Sequence, residues 1–202
     1  MKALSLDSGS YDGTYKLIGE EISLDFINTI SWPDTEWEHD WLHNADNFIK
    51  WAVAAGVISK QNSKKLSEQS NAALNNQMKD VYLVRKEVAK ILTAFAFEDK
   101  PDAVVVKKAD DLYHRIVKHR HINAKNYEWI WDEPATLSDL LNPVIWNAVY
   151  IITELDHSRL KYCSSCKWLF YDKTKNKSRK WCDMEDCGSR DKALRYYHRQ
   201  KK

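Results

Sequence analysis

The stretch Cys163-Ser-Ser-Cys166 opens a cysteine-rich segment that closes, fifteen residues later, with Cys182-Asp-Met-Glu-Asp-Cys187. These two pairs hold all four cysteines of the 202-residue chain. Two close pairs joined by a loop are typical of a structural zinc site with four thiolate ligands. Because four thiolates leave no coordination position open to a substrate, the sequence predicts one zinc ion that holds the fold and does no chemistry.

The same four cysteines have two other interpretations. Two disulfides would need an oxidising compartment, but residues 1–20 lack the basic start and apolar run of a signal peptide. A redox CxxC motif predicts one pair in a thioredoxin-like setting, whereas this chain has a second pair. Reduced thiols are available to a metal, so the sequence favours zinc and a cytoplasmic location.

The residues around the cysteines are basic and aromatic. Residues 168–171, Trp-Leu-Phe-Tyr, favour a short strand, and residues 173–180 favour a loop. Ser189 follows the last cysteine closely and is the predicted N-cap of a terminal helix.

Charge is distributed unevenly along the chain. From Lys161 to Lys202 thirteen Lys or Arg face five Asp or Glu, a net charge of +8, whereas residues 1–160 carry −6. A basic end on an acidic body is typical of a module that binds a polyanion. The change in charge also predicts a domain boundary near residue 158.

The cysteine-rich segment resembles the CGNR zinc finger, a family named for its fourth cysteine and the three residues that follow. At this place the chain reads Cys187-Gly-Ser-Arg190, with Ser189 where the family has Asn. The CxxC pair, the aromatic run and the approach Ser178-Arg-Lys-Trp-Cys182 also match. Upstream, the pattern G-E-x-x-x-L-D-F-x-N-T of residues 19–29 resembles the opening of the ABATE domain, which commonly precedes this finger.

The resemblance implies an ABATE-like helical domain over residues 1–158 and a CGNR-like finger over residues 159–202. It implies a treble-clef or knuckle-like finger that ends in a helix, in a DNA-binding regulator of transcription. The residues predicted to contact nucleic acid are Lys173, Lys175, Lys177, Arg179, Lys180, Arg190, Arg195 and Arg199. Arg190 is the expected base reader because it lies near the start of the last helix, on which Arg195, Arg199 and Lys202 share a face.

Hydrophobic periodicity predicts a mainly α-helical body, and apolar residues, at 44% of the chain, are numerous enough for a core. The predicted helices cover residues 44–55, 59–71, 76–98, 103–119 and 136–157, with a short β-hairpin in 122–133. Further helical periodicity covers residues 22–30. No apolar run reaches the length of a membrane span, so no contact with a membrane is expected.

A small-molecule effector is the second predicted partner. Its candidate pocket comprises Asp25, Asn28, Trp32, Trp37 and His39. Asp25 and Asn28 have an alternative structural interpretation, in which buried polar side chains bond loop amides and Trp indoles. The chain contains no Walker lysine, GxGxxG, HExxH or GxSxG motif, so no enzymatic activity is expected.

Two other functions compete with DNA binding. The chain could bind RNA if Trp168, Phe170, Tyr171 and Trp181 stack on bases. The helical body could bind or convert a small molecule, with the finger as an adaptor for another protein. A single finger is small for specific DNA recognition, which favours a homodimer.

Overall fold

Helices form most of this chain, as the periodicity predicts. The computed structural model describes residues 3–98 and 100–200. The helices are α1 (Ile22–Ile27), α2 (Ala45–Ala54), α3 (Lys60–Ser67), α4 (Asn71–Phe97), α5 (Ala103–Ile116), α6 (Asn142–Glu154) and α7 (Ser189–Gln200). Over the described residues, no helix combines the length and the apolar character needed to cross a membrane.

Eight short strands pair as four antiparallel hairpins within the described residues. They are β1 (Ala3–Leu4) with β2 (Tyr15–Lys16), β3 (Ile30–Ser31) with β4 (His39–Asp40), β5 (Arg120–Ile122) with β6 (Trp129–Trp131), and β7 (Leu160–Tyr162) with β8 (Leu169–Tyr171). The mainly α fold with a short hairpin in the body is therefore confirmed. Over residues 3–98 and 100–158 the body has three hairpins where the sequence predicted one.

Side-chain caps fix where several helices begin. Asn44 accepts a hydrogen bond from the amide of Asn47 at the start of α2, and Ser59 caps α3 in the same way. Ser70 caps α4 through the amide of Ala73, so this helix begins at Asn71. The sequence placed that start at residue 76 and extended the preceding helix to residue 71, and both bounds are wrong because Ser70 interrupts the helical run there.

The terminal helix begins differently from the prediction. Asp183 accepts a hydrogen bond from the amide of Glu185, and the chain then forms one wide turn, Met184–Gly188, with the hydrogen bonding of a π-helix. This turn runs directly into α7, so Ser189 already has helical backbone angles. The prediction that Ser189 is the N-cap is wrong. The capping side chain is that of Asp183, six residues before Ser189, which accepts a hydrogen bond from the amide of Glu185.

The main core is built on α4, which packs against α1, α5 and α6. Trp41, Trp51 and Phe48, which lie in or just before α2, are among its largest fully buried side chains. Leu160 and Leu169, from β7 and β8, are buried in the same cluster. The hydrophobic core therefore continues across residue 158, where the charge distribution predicted a domain boundary.

Two hairpins of this chain have the same backbone geometry, forty residues apart. β5–β6 and β7–β8 each follow one turn of 3₁₀ helix and pair three residues with three. Each turn has one residue with positive φ, Tyr127 at 58° and Lys167 at 65°. The sequence shows no internal repeat, since these hairpins share few side chains.

Backbone hydrogen bonds inside the two turns also correspond. The amide of Asn123 donates to Glu128 O at 2.9 Å, and the amide of Cys163 donates to Trp168 O at 2.8 Å. Asn123 and Asn126 thus stand where the second hairpin has Cys163 and Cys166. The β5–β6 hairpin is a cysteine-free counterpart of the knuckle formed by β7–β8.

Candidate metal centre and nucleic-acid interface

The four cysteine sulfurs meet at one point. The β7–β8 turn presents Cys163 and Cys166, and the wide turn before α7 presents Cys182 and Cys187. All four sulfurs lie within 4.8 Å of one another, with Sγ–Sγ distances of 3.5 Å for Cys166–Cys182 and 3.7 Å for Cys182–Cys187. Sulfurs at about 2.3 Å from one zinc, at the corners of a tetrahedron, are about 3.8 Å apart. The arrangement therefore fits one Zn²⁺.

The same distances exclude the disulfide interpretation, since bonded sulfurs lie about 2.05 Å apart. All four cysteines are free thiols and all are buried. Ile18 and Phe170 pack against them, with Trp32 and Trp181 at the margin of the cluster. The apolar surroundings keep water from the thiolates, as suits a structural metal.

Hydrogen bonds from buried side chains fasten the knuckle to the body. The side chain of Asn28, at the end of α1, donates to Leu169 O at 2.7 Å and accepts from Leu169 N at 3.1 Å. The indole of Trp168 donates to Ile30 O at 2.8 Å. Asn28 is therefore a structural residue, since its amide completes the outer edge of β8 as a neighbouring strand would.

Salt bridges add to this attachment on the other side of the metal site. Lys16 in β2 contacts Asp186 at 2.5 Å and Asp183 at 3.6 Å. The amino-terminal strand and the second cysteine pair are thus held together.

Asp172 organises the basic loop, and sequence reasoning missed it. Its fully buried carboxylate accepts hydrogen bonds from the Lys161 ammonium at 2.8 Å, from the amide and hydroxyl of Thr174, and from the amide of Arg179 at 2.9 Å. Burial raises the pKa of this carboxyl, but the hydrogen bonds outweigh it and hold the pKa well below its usual range. An Asp two residues before Thr, directly after a strand, was the available signal, since this pattern favours an Asx turn.

The predicted loop cations fall into two groups. Lys173 lies 3.4 Å from Glu21, Lys177 lies 2.7 Å from Asp156, and Arg179 donates to Glu20 and to backbone carbonyls at 181 and 182. Lys175 and Lys180 are exposed, and neither ammonium has a hydrogen-bond or ion-pair partner in the described part of the chain. Three cations of the loop are therefore held in contacts within the protein, and the other two face solvent.

The cations of α7 are all exposed. The guanidinium of Arg190 lies 4.9 Å from the centre of the Trp32 ring, and that of Arg195 lies 5.7 Å from the Trp181 ring and contacts Asp191. Arg199 has no ion-pair partner within residues 3–98 and 100–200. Lys202, predicted to share their face, lies outside the described residues.

The five residues of the predicted effector pocket do not form one pocket. Asp25, Asn28 and Trp32 border three separate clefts. Trp37 is 66% exposed in the β3–β4 loop, and His39 stacks on Tyr11 with ring centres 4.4 Å apart. The pocket prediction fails as a set because these side chains point to different sides of the α1–β4 segment.

Asp25 has the structural role that the sequence left open. One oxygen of its carboxylate accepts hydrogen bonds from the amides of Ile18 and Gly19, both at 2.7 Å. Burial raises the pKa of Asp25 to about 6, with a further increase from the negative charge of Glu20 and Glu21. The two amide bonds act in the opposite direction and are outweighed.

Two known protein families match most of the chain. The ABATE family, described as "Putative stress-induced transcription regulator", matches residues 20–154, about two thirds of the chain. The CGNR zinc finger matches residues 159–200, which include the four clustered cysteines. No curated protein matches the chain. Both resemblances found in the sequence are confirmed, and Cys163, Cys166, Cys182 and Cys187 form a site for one structural zinc ion.

Proposed function

The chain belongs to the ABATE family, and on that premise we propose that it is a cytoplasmic transcriptional regulator that binds duplex DNA through its zinc finger. We assign no catalytic activity to it. The two modules, residues 1–158 and 159–202, act in this proposal as a ligand-sensing body and a DNA-binding finger.

The observation that carries the proposal is a set of exposed cations on the finger, here called the basic surface. Its members are Lys175, Lys180, Arg190 and Arg199, together with Arg195, which is 56% exposed although it pairs with Asp191 on the same helix. The zinc site and Asp172 fix the backbone on which the two lysines stand. Cations bind DNA phosphates by releasing counterions from the DNA. When their backbone is already fixed, binding does not cost the entropy of ordering the loop.

Arg190 has the best placement for reading a base. Its guanidinium lies over the Trp32 ring, 4.9 Å from the ring centre, and this contact restricts the orientation of the side chain. Arg can donate two hydrogen bonds to guanine in the major groove. Lys173, Lys177 and Arg179, which the sequence also assigned to DNA, form ion pairs with acidic residues within the protein and take a supporting role in this proposal.

The aromatic residues of the finger support duplex DNA over single-stranded RNA. Phe170 is fully buried and Tyr171 is 8% exposed, so neither can stack on a base. Trp168 donates its indole N–H to the body, and Trp181 packs beside the metal site. A stacking platform for single strands needs accessible ring faces. Among residues 159–200 the exposed aromatic side chains are Tyr162, Tyr196 and Tyr197, none of which belongs to the four proposed for stacking.

The test is fluorescence anisotropy of a labelled mixed-sequence duplex with zinc-loaded protein across a salt series. The Lys175→Gln, Lys180→Gln double variant should bind more weakly, and its slope of log affinity against log salt should be smaller by about 2. Lys79→Gln, an exposed position on α4, is the matched control and should bind like the unaltered protein.

Absence of binding at low salt, or a salt slope unchanged in the double variant, would refute the assignment. A single-stranded competitor that displaces the duplex at equal concentration would favour RNA or single-stranded DNA instead. Stoichiometric titration gives the number of chains per duplex, and two would agree with the homodimer that a small finger favours.

A further inference from the structure

A groove of about 580 Å³ separates the finger from the longest helix of the body, and we call it the interface groove. One wall is a single face of α4, from Tyr82 to Thr93. The other wall is the knuckle, with Tyr162, Lys167 and Trp168. Eleven residues of α-helix separate the two ends of the α4 wall, so the groove is about 16 Å long.

The floor of the groove is apolar. Ile27, Ile30 and Leu169 lie there, with Ala89 on the α4 wall. One end is closed by Tyr162, whose hydroxyl lies 3.2 Å from that of Thr93 and whose ring stacks on Phe97 at 4.4 Å. An apolar cleft of this volume with a few polar groups is typical of a small-molecule site.

The rim of the groove is positively charged. Lys86 on α4 and Lys167 on the knuckle are exposed, and neither ammonium has a partner among residues 3–98 and 100–200. Lys90 lies 3.5 Å from Glu87. Arg85 is already neutralised by Asp40, to which it donates two hydrogen bonds. Asp34 is the one carboxylate residue among the described residues that line the groove.

A peptide strand is a poor occupant for this groove. An added strand needs free amides and carbonyls along a sheet edge. The edge of β8 is already occupied, since Asn28 bonds both backbone groups of Leu169 and Gly19 O accepts from the amide of Tyr171. The available recognition chemistry is therefore an apolar floor with two free ammonium groups on opposite walls.

We propose that the interface groove binds the effector of this regulator, an elongated small molecule with an apolar body and one carboxylate. The inference rests on the ligand-sensing part of the proposed function and gives it a site. The carboxylate lies between Lys86 and Lys167, and the apolar body lies along α4 on the floor. Because one wall belongs to the body and the other to the finger, the ligand binds most tightly when the two are packed together.

The test uses octanoate as the probe, with 1-octanol as its uncharged counterpart of equal chain length, in isothermal titration calorimetry with zinc-loaded full-length protein. Octanoate should bind, and octanol should bind at least several-fold more weakly. The Lys86→Gln, Lys167→Gln double variant should raise the Kd for octanoate by about tenfold, because it removes two charge-assisted contacts. Lys79→Gln, outside the groove, should leave the Kd unchanged.

Ala89→Phe supplies a second, steric test, since a ring on the α4 wall fills the groove and leaves the charges of both lysines in place. It should abolish octanoate binding while the unfolding temperature stays within a few degrees of the unaltered protein. Octanoate should also slow the transfer of zinc to a chelator, because it bridges the knuckle and the body.

No heat of binding with octanoate, equal affinity for octanol, or an unchanged Kd in the double variant would each overturn the proposal. If Ala89→Phe unfolds, the lysine variants and the octanol comparison still decide. These measurements contain no DNA, so their failure leaves the DNA-binding proposal intact, and loss of duplex binding in the anisotropy test leaves the groove proposal intact.

Discussion

Replacing Asn28 with Ala tests how strongly the finger is fastened to the body. The Asn28 side chain is 3% exposed and bonds both the amide and the carbonyl of Leu169, which is also 3% exposed. Alanine removes both hydrogen bonds and leaves two buried backbone groups without partners. Each loss costs about 1 to 3 kcal/mol, so the free energy of unfolding should fall by about 2 to 6 kcal/mol.

The assay is urea unfolding of the zinc-loaded protein, followed by far-ultraviolet circular dichroism. Asn76→Ala, an exposed change on α4, is the control and should alter the free energy of unfolding by no more than about 0.5 kcal/mol. Asn28→Asp should be at least as harmful as Asn28→Ala, because it places an oxygen against Leu169 O. Since Leu169 lies three residues after Cys166, Asn28→Ala should also release zinc faster to a chelator.

A loss below about 1 kcal/mol in Asn28→Ala would refute this reasoning, because water would then be satisfying Leu169 as well as Asn28 does. A large loss with an unchanged rate of zinc release would show that the knuckle does not depend on this attachment.

Two further predictions concern protonation and metal removal. The pKa of Asp25 in the folded protein, about 6, lies above its ordinary value of 3.8, so the folded state holds the proton more tightly and Asp25 lowers stability as pH rises from about 4 to about 6. Asp25→Asn should remove this loss of stability. Above pH 6 the free energy of unfolding of the variant should exceed that of the unaltered protein by up to about 3 kcal/mol. A difference in the free energy of unfolding that stays the same from pH 4 to pH 7 would contradict this prediction. Cys182→Ser should lose zinc and expose the amides of the basic loop and α7 to hydrogen exchange, while α4 keeps its protection; loss of protection in α4 would contradict this.

The metal site could be predicted from the sequence because its signal is local. The spacing of Cys163, Cys166, Cys182 and Cys187 specifies the ligands without knowledge of the rest of the fold. The caps at Asn44 and Ser59 were predictable for the same reason, since each bonds an amide three residues away. Local pattern failed at α7, where a wide turn precedes the helix and moves the cap back to Asp183.

The contacts that sequence could not supply join residues far apart along the chain. Asn28 and Leu169 are 141 residues apart, and no pattern around either one identifies its partner. The basic loop shows the same limit, because Lys175 and Lys177 look alike in sequence. Lys177 is neutralised by Asp156 and Lys175 is not, and only the folded chain distinguishes a cation that shapes the protein from one that faces solvent.

The pair of matching hairpins has a consequence for how the metal is acquired. In β5–β6 the knuckle turn forms without cysteines, and the Asn123 side chain instead accepts a hydrogen bond from the amide of Lys125 at 2.9 Å. We therefore expect the turn to form without a metal, so that Cys163 and Cys166 are in position before an ion binds. We expect zinc to bind in two steps. Cys163 and Cys166 should bind the ion first, and the later binding of Cys182 and Cys187 should limit the rate.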